Sequence, residues 1–140
     1  TISVAFVKAD NTVRHMAFRR NLLSYEKSQA EKTDAQKNVL VNNNLMNVYD
    51  TNTFIKEKRA NIESGMSPED AAKAASKKSY RNIKLGNVLG FLCGGKFYDF
   101  REMNDIENRY GKDVYNMLTK SMVMSMANDM DAINEEFGDQ

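Results

Sequence analysis

The stretch FVKADNTVRHMAF, residues 6–18, places an Asp-Asn pair between two short runs in which apolar and polar side chains alternate. Such alternation is typical of a β-strand, and Asn and Asp tolerate the positive φ angles that tight hairpin turns require. We therefore predict strands at residues 2–8 and 13–19, joined by a two-residue loop at Asp10-Asn11. This register has three cross-strand pairs: Lys8 with Val13, Phe6 with His15, and Val4 with Ala17.

Both faces of this predicted hairpin carry apolar side chains. Val4 and Phe6 belong to one face, and the other face has its own apolar set: Ala5, Val7, Met16 and Phe18. Strands that are apolar on both faces are typical of sheets that are buried on both sides. We expect a cover on each face, as in a small barrel or in a sheet with a helix lying across it.

The composition is typical of a globular domain, with 140 residues of which 41% are hydrophobic and 28% charged. This length predicts a single domain. Cys93 is the only cysteine, which excludes an internal disulfide and argues against a structural zinc site. The longest apolar run, residues 88–93, is too short for a membrane helix. The N-terminus has no signal-peptide pattern, so we expect a cytoplasmic protein without membrane contact.

Charge is divided unevenly along the chain. Residues 1–86 contain 15 Lys or Arg and 9 Asp or Glu, whereas residues 87–140 contain 5 and 10. Such asymmetry is typical of a surface that binds a polyanion or of an acidic interaction segment. Mutual neutralisation of the two halves within the fold is an equally open interpretation.

Further along the chain, strand and helix signals alternate. Ser67 before Pro68 and two acids is typical of a helix start, and Gly94-Gly95 between apolar runs predicts a second β-hairpin. Gly86-Asn87 predicts a bend within a strand segment. The predicted elements are strands at 39–41, 45–51, 80–93 and 96–100, helices at 54–62 and 68–78, and C-terminal helices at 102–137, with one long helix from Val114 to Phe137.

Candidate catalytic groups lack the companions that catalysis needs. His15 is the only histidine and has no Ser, Asp or Glu near it in a triad pattern. The carboxylates Asp50, Asp99 and Asp105 lie near element ends, where capping and turn roles explain them. We predict that the protein is not an enzyme and that it uses no cofactor and no metal.

Cations concentrate in two places that could contact the phosphates of DNA or RNA. Binding of this kind needs basic side chains on one surface, with an aromatic ring on which a base can stack. The predicted stacking residues are Tyr80 and Phe18. The cations predicted to contact phosphate are Arg14, Arg19, Arg20, Lys77, Lys78 and Arg81.

The C-terminal segment is rich in methionine and acidic residues. Apolar residues recur at steps of three or four from Val114 onward, which predicts an amphipathic helix. Methionine fills irregular core space well, but this apolar band is wider than one packing seam, so it also predicts a face for a protein partner or a second subunit. The predicted partner-binding residues are Met117, Met124, Met126, Met130, Ile133 and Phe137.

The pattern F-x-K-x-D-N-T-x-R-x-M at residues 6–16 resembles the opening hairpin of the small SH3-like barrel proteins of tailed phages. NVYD at 47–50 and YRNIKLGNVLGF at 80–91 look like the third and fourth strands of that family. Asn11 stands where the family more often has Gly, and the resemblance covers about half of the chain. It implies an SH3-like barrel and a phage-encoded protein that acts in the host cell, and it carries over no catalytic residue.

Residues and resemblance together predict an α+β fold in a single domain. A small, bent antiparallel SH3-like barrel, of Tudor or KOW type, would use strands within 1–51 and 80–100, with a helical insertion at 54–78 and C-terminal helices at 102–137. The predicted function is non-enzymatic nucleic-acid binding, to DNA or RNA, through a basic barrel rim. The alternative is a protein-interaction module, either a modulator of a host protein or a structural subunit. It would act through the C-terminal helix, which is also where a homo-oligomer would form.

Overall fold

Six strands and five helices make up the part of the chain that the structure describes, residues 1–18 and 44–137 of a computed structural model. The predicted strand at 39–41 and the site residues Arg19 and Arg20 lie outside these described residues. In chain order the elements are β1 Ile2–Val7, β2 Val13–Phe18, β3 Leu45–Tyr49, α1 Thr51–Glu63, α2 Pro68–Lys78, β4 Tyr80–Lys84, β5 Val88–Cys93, β6 Lys96–Asp99, α3 Ile106–Tyr110, α4 Lys112–Tyr115 and α5 Lys120–Phe137.

The strands form two antiparallel sheets. The central sheet has the order β2-β1-β5-β6, and β3 pairs with β4 in a separate two-stranded ribbon. A single bridge between Phe18 and Asp50 joins the two sheets. The predicted α+β class is therefore confirmed. The described strands do not form a closed barrel, because β3 and β4 pair with each other and meet the central sheet at that one bridge.

The first hairpin differs from its predicted register by one residue. Ala5 pairs with His15 and Phe6 with Arg14, so the loop is one residue longer than predicted. Asn11 takes the left-handed conformation, with φ of 65°, and such a residue commonly closes a three-residue loop. The Asp10 carboxylate accepts hydrogen bonds from the Thr12 hydroxyl and backbone N–H, and these bonds lower the pKa of Asp10.

Both faces of the central sheet are covered, as the sequence predicts. The one-residue shift moves Met16 and Phe18 to the face of Val4, where they pack against Val48 and Ile83 of the ribbon. The opposite face packs against the C-terminal helices; its main contacts come from the following residues: Ala5, Val7, Leu89, Leu92, Ile106 and Met126.

One glycine in the central sheet is required by a close approach. A Cβ atom on Gly90 of β5 would lie 2.2 Å from the Phe97 ring and 2.8 Å from the Tyr98 carbonyl oxygen of β6. The absence of a side chain therefore lets the Phe97 ring lie against β5 and keeps the β5–β6 hairpin closely packed.

The insertion between β3 and β4 is a helical hairpin formed by α1 and α2. Ser67 accepts a hydrogen bond from the Asp70 N–H and begins α2, with Pro68 in its first turn, as predicted. The Asn61 side chain of α1 donates to the Ala71 carbonyl of α2 near the connecting loop. At the other end Lys78 contacts Glu57. The two helices are therefore antiparallel, and their far ends return to the ribbon.

The C-terminal segment does not form one helix from Val114, as the sequence predicted. Val114 belongs to the short α4, and α5 begins at Lys120. The Thr119 hydroxyl accepts a hydrogen bond from the Met122 N–H at 3.1 Å. This is the bond that a helix-capping side chain makes, so Thr119 starts a new helix within the apolar repeat.

Candidate nucleic-acid interface

Three aromatic rings meet where the helical hairpin joins the ribbon. The Tyr49 ring centroid lies 5.3 Å from that of Tyr80 and 5.5 Å from that of Phe54. All three side chains are half-buried. The Tyr49 hydroxyl hydrogen-bonds with the Ser76 hydroxyl at 3.3 Å, and burial raises the pKa of Tyr49 above its usual range. Tyr49 is therefore a neutral, packed phenol that supports the other two rings.

One lysine contacts this aromatic cluster, and two more end α2 next to Tyr80 in the chain. The Lys58 ammonium lies 6.0 Å from the Phe54 ring centroid, within the range of a cation–π contact. The Lys78 ammonium lies 3.6 Å from a Glu57 carboxylate oxygen, and both Lys77 and Lys78 are exposed. Their position in the last turn of α2 also offsets the negative end of the helix dipole.

Charge is graded along the helical hairpin. The half nearer the ribbon, which we call the basic end, contains six cations and one acid, Glu57. The acids Glu63, Glu69 and Asp70 lie instead around the loop at the opposite end. The basic end thus combines a positive surface with half-buried aromatic rings. Its cations are Lys56, Lys58, Arg59, Lys73, Lys77 and Lys78.

Arg14 neutralises a buried carboxylate. Its guanidinium lies 3.3 Å from Asp50, whose side chain is only 1% exposed. Asp50 also accepts hydrogen bonds from the Thr53 N–H and hydroxyl at the start of α1. The Arg14 side chain is 43% exposed, yet its charge is already matched within the fold.

Arg81 has a structural role as well. Its guanidinium donates hydrogen bonds to the carbonyl oxygens of Lys78 and Tyr80, where α2 passes into β4. Five of the eight residues predicted to bind nucleic acid thus lie around one junction: Arg14, Lys77, Lys78, Tyr80 and Arg81. The prediction that Phe18 stacks on a base is wrong, because its ring is buried in the core. Arg19 and Arg20 lie outside the described residues.

Sequence reasoning missed Tyr49, Phe54 and Lys58. Tyr49 ends β3 and Tyr80 begins β4, and the register pairs them directly. The available signal was that an insertion between two paired strands must bring its flanking residues together. The two tyrosines, separated by 30 intervening residues, then become neighbours.

The candidate catalytic groups do not gather, and two of the aspartates have structural partners. Asp50 caps α1 and pairs with Arg14. Asp99 forms hydrogen bonds with the Arg101 guanidinium, and these bonds lower the pKa of Asp99. His15 Nδ1 lies 3.2 Å from an Asp129 carboxylate oxygen of α5, outside hydrogen-bond geometry. Within residues 1–18 and 44–137, no three His, Cys, Asp or Glu side chains are placed to hold a metal ion.

The predicted partner-binding residues separate into a buried and an exposed set. Met126 and Ile133 are fully buried in the core and Met130 is half-buried, so these three hold α5 on the sheet. Met124 and Met117 are 66% and 47% exposed. The side chain of Phe137 lies outside the described part of the structure.

Met124 lies at the edge of a shallow groove of about 450 Å³ between β6 and the start of α5. Arg101 closes one side, where its guanidinium stacks on the Tyr115 ring at 4.3 Å and donates to the Tyr115 carbonyl. The other lining residues are Phe97, Asp99, Leu118, Thr119, Lys120 and Val123. The lining of this groove is apolar at Phe97, Leu118, Val123 and Met124.

None of the helices in the described ranges is both long and apolar enough to cross a membrane.

Comparison of the chain with protein-family models, with curated proteins and with solved structures finds no match. The resemblance of residues 6–16 to phage SH3-like proteins stays a prediction.

Proposed function

We propose that this protein is a non-enzymatic nucleic-acid-binding protein, and that the basic end of the helical hairpin contacts the phosphate backbone. The observation that supports this most is the separation of charge by the central sheet. Residues 44–87, which cover one face, contain 8 Lys or Arg and 5 Asp or Glu. Residues 106–137, whose helices cover the other face, contain 3 and 6.

The burial and the positions of the acids make the basic side more positive at its surface than these counts indicate. Asp50, one of the five acids on the basic side, is buried and matched by Arg14. Three others lie around the far loop of the helical hairpin. Among the described residues, Glu57 is therefore the one acid at the basic end, and it is already paired with Lys78. A surface of one charge sign attracts a polyanion and releases its condensed counterions on binding.

The test is fluorescence anisotropy with labelled oligonucleotides at several salt concentrations. The variant K77A/K78A should weaken binding to all sequences and reduce the slope of log affinity against log salt by about 2 for a duplex. The matched control is K112A/K120A, which removes the same charge from exposed positions on the acidic side. Equal losses in the two variants would mean that net charge, rather than the basic end, governs binding.

A second candidate function, a protein-interaction module, is supported by the groove beside Met124. Exposed Met124 lines this groove together with the apolar side chains of Phe97, Leu118 and Val123. Sedimentation of the wild type and of M124D over a range of concentrations tests self-association, and added host lysate proteins test a heterologous partner. A phage SH3-like relationship fits either function, and we propose it from the motif at residues 6–16.

A further inference from the structure

The ribbon of β3 and β4 has an inner and an outer face. Met46, Val48 and Ile83 pack into the core against the central sheet. Because successive residues of a strand point to opposite faces, the alternate residues belong to the outer face. They form three directly opposed pairs: Leu45 with Lys84, Asn47 with Asn82, and Tyr49 with Tyr80.

The outer face has no acidic residue and is graded from aromatic to cationic. Tyr49 and Tyr80 stand beside the basic end of the helical hairpin, and Lys84 is exposed at the opposite end of the ribbon. Between them, the Asn47 amide donates to the Asn82 side-chain oxygen at 2.9 Å. Asn82 is exposed, and within the described residues its amide nitrogen has no hydrogen-bond partner.

From this arrangement we infer that the outer face of the ribbon binds single-stranded nucleic acid, an inference that rests on the proposed function. Tyr80 provides the stacking surface for a base. Asn82 offers its amide to the edge of a neighbouring base, and Lys84 contacts a phosphate. The positive basic end continues the path of the backbone beyond Tyr80.

Spacing favours a single strand over a duplex. Successive pairs on one face of a ribbon are about 7 Å apart, since a strand rises about 3.4 Å per residue. Bases stacked in a duplex are only about 3.4 Å apart along each strand. Rows at twice that distance match bases that have been separated from one another, which an unpaired strand permits.

The position of the ribbon also disfavours a duplex. A two-stranded ribbon can read a duplex by entering the major groove, but this ribbon has its inner face in the core and α1 and α2 at one end. It is therefore held against the body of the molecule and does not project as an arm. Stacking on Tyr80 requires the face of an unpaired base, which an intact duplex does not offer.

The experiment compares labelled single-stranded DNA, single-stranded RNA and duplex DNA of the same length and sequence, titrated with the full chain. Single strands should bind more tightly than the duplex. Y80L should weaken single-strand binding at least about fivefold without changing the salt slope, because it removes no charge. K84A should reduce that slope by about 0.7. N82A should reduce any preference among homopolymers, since an amide recognises base edges.

Matched controls come from outside the ribbon and the helical hairpin. Y98L and N116A change exposed residues of the same types and should leave affinity unchanged. Tyr80 packs on Tyr49, so Y80L can lose its fold, which thermal unfolding monitors. N82A and K84A at exposed positions then decide the test by themselves.

The outcomes separate this inference from the proposed function. Binding to none of the three nucleic acids at low salt would overturn both. Binding in which the duplex competes equally, with K77A/K78A defective and the three ribbon variants at wild-type affinity, would overturn the ribbon inference and leave the proposed function in place. Preference for RNA or DNA among the single strands would identify the sugar that the face accepts, and either preference supports the inference.

Discussion

Substitution of Asp50 should destabilise the protein more than any single change at the proposed phosphate contacts. The Asp50 carboxylate is 1% exposed and accepts hydrogen bonds from the Thr53 N–H at 3.2 Å, from the Thr53 hydroxyl at 2.7 Å and from the Arg14 guanidinium at 3.3 Å. Its backbone N–H donates to the Ser79 carbonyl, and its backbone bridges to Phe18. One residue thus begins α1 and joins the two sheets.

The expected loss can be worked from these contacts. Removal of a helix-capping side chain costs about 1 kcal/mol, and loss of hydrogen bonds to a charged group costs about 2 kcal/mol more. D50A should therefore lower the free energy of unfolding by about 3 kcal/mol. D50N keeps a capping oxygen but loses the charge, so its cost should be about half as large.

Substitution of Arg14 tests the same ion pair through the other residue. R14A leaves a buried carboxylate with fewer donors, but water can reach the exposed half of the site, so we expect a loss of about 1.5 kcal/mol, well below that for a fully buried pair. In the double variant R14A/D50N the two losses should not add, because each substitution removes the same interaction.

The assay is urea unfolding followed by circular dichroism, with the slope of the transition checked for each variant. A loss of less than 1 kcal/mol in D50A would refute the structural role of Asp50. Additive losses in the double variant would show that Arg14 and Asp50 act independently, and Arg14 would then return to the set of candidate phosphate contacts.

Three further predictions use matched pairs or a pH series. G90A should destabilise the protein by about 1–3 kcal/mol, because the new Cβ atom would lie 2.2 Å from a ring atom of Phe97 in β6. G86A should be tolerated, because the nearest atom to its Cβ would be 3.9 Å away. Urea unfolding measures the stability of both variants. M126A should cost about 2–5 kcal/mol because Met126 is fully buried, and M124A at an exposed position should change little. Burial raises the pKa of Tyr49 above 10.0. The contribution of the neutral phenol to stability is therefore present below pH 10.0 and is lost as pH rises through the folded pKa. Y49F should remove this loss of stability at alkaline pH, as measured by thermal melts.

Local signals in the sequence predicted most of the elements correctly. Ser67 before Pro68 marks a helix start, and Gly94-Gly95 marks a hairpin, because each depends on the backbone conformations that those residues favour. The first hairpin shows the limit of such signals. Asn11 at a positive φ suits a two-residue loop and a three-residue loop alike. Packing decides between them, since the three-residue loop places Met16 and Phe18 on the face that the ribbon covers.

The candidate site was only partly predictable, for two physical reasons. Tyr49 and Tyr80 become neighbours through strand pairing across the whole helical insertion, which no local pattern reveals. In the sequence, Arg14 looks available to contact phosphate. In the fold its guanidinium is paired with the buried carboxylate of Asp50. Long-range pairing and burial are properties of the folded chain, so residue types and spacing alone could not assign these roles.

These roles divide the cations of the basic side into two functional groups. Arg14 and Arg81 hold parts of the fold together through Asp50 and through the carbonyls at the end of α2. Lys77 and Lys84 are exposed without such partners among the described residues. Removal of a structural cation should lower stability and leave the salt slope of nucleic-acid binding unchanged. Removal of a phosphate contact should do the reverse, because each such contact adds its own increment to the slope. Measurements of unfolding free energy and of salt slope on the same variants therefore distinguish the cations that stabilise the fold from those that contact phosphate.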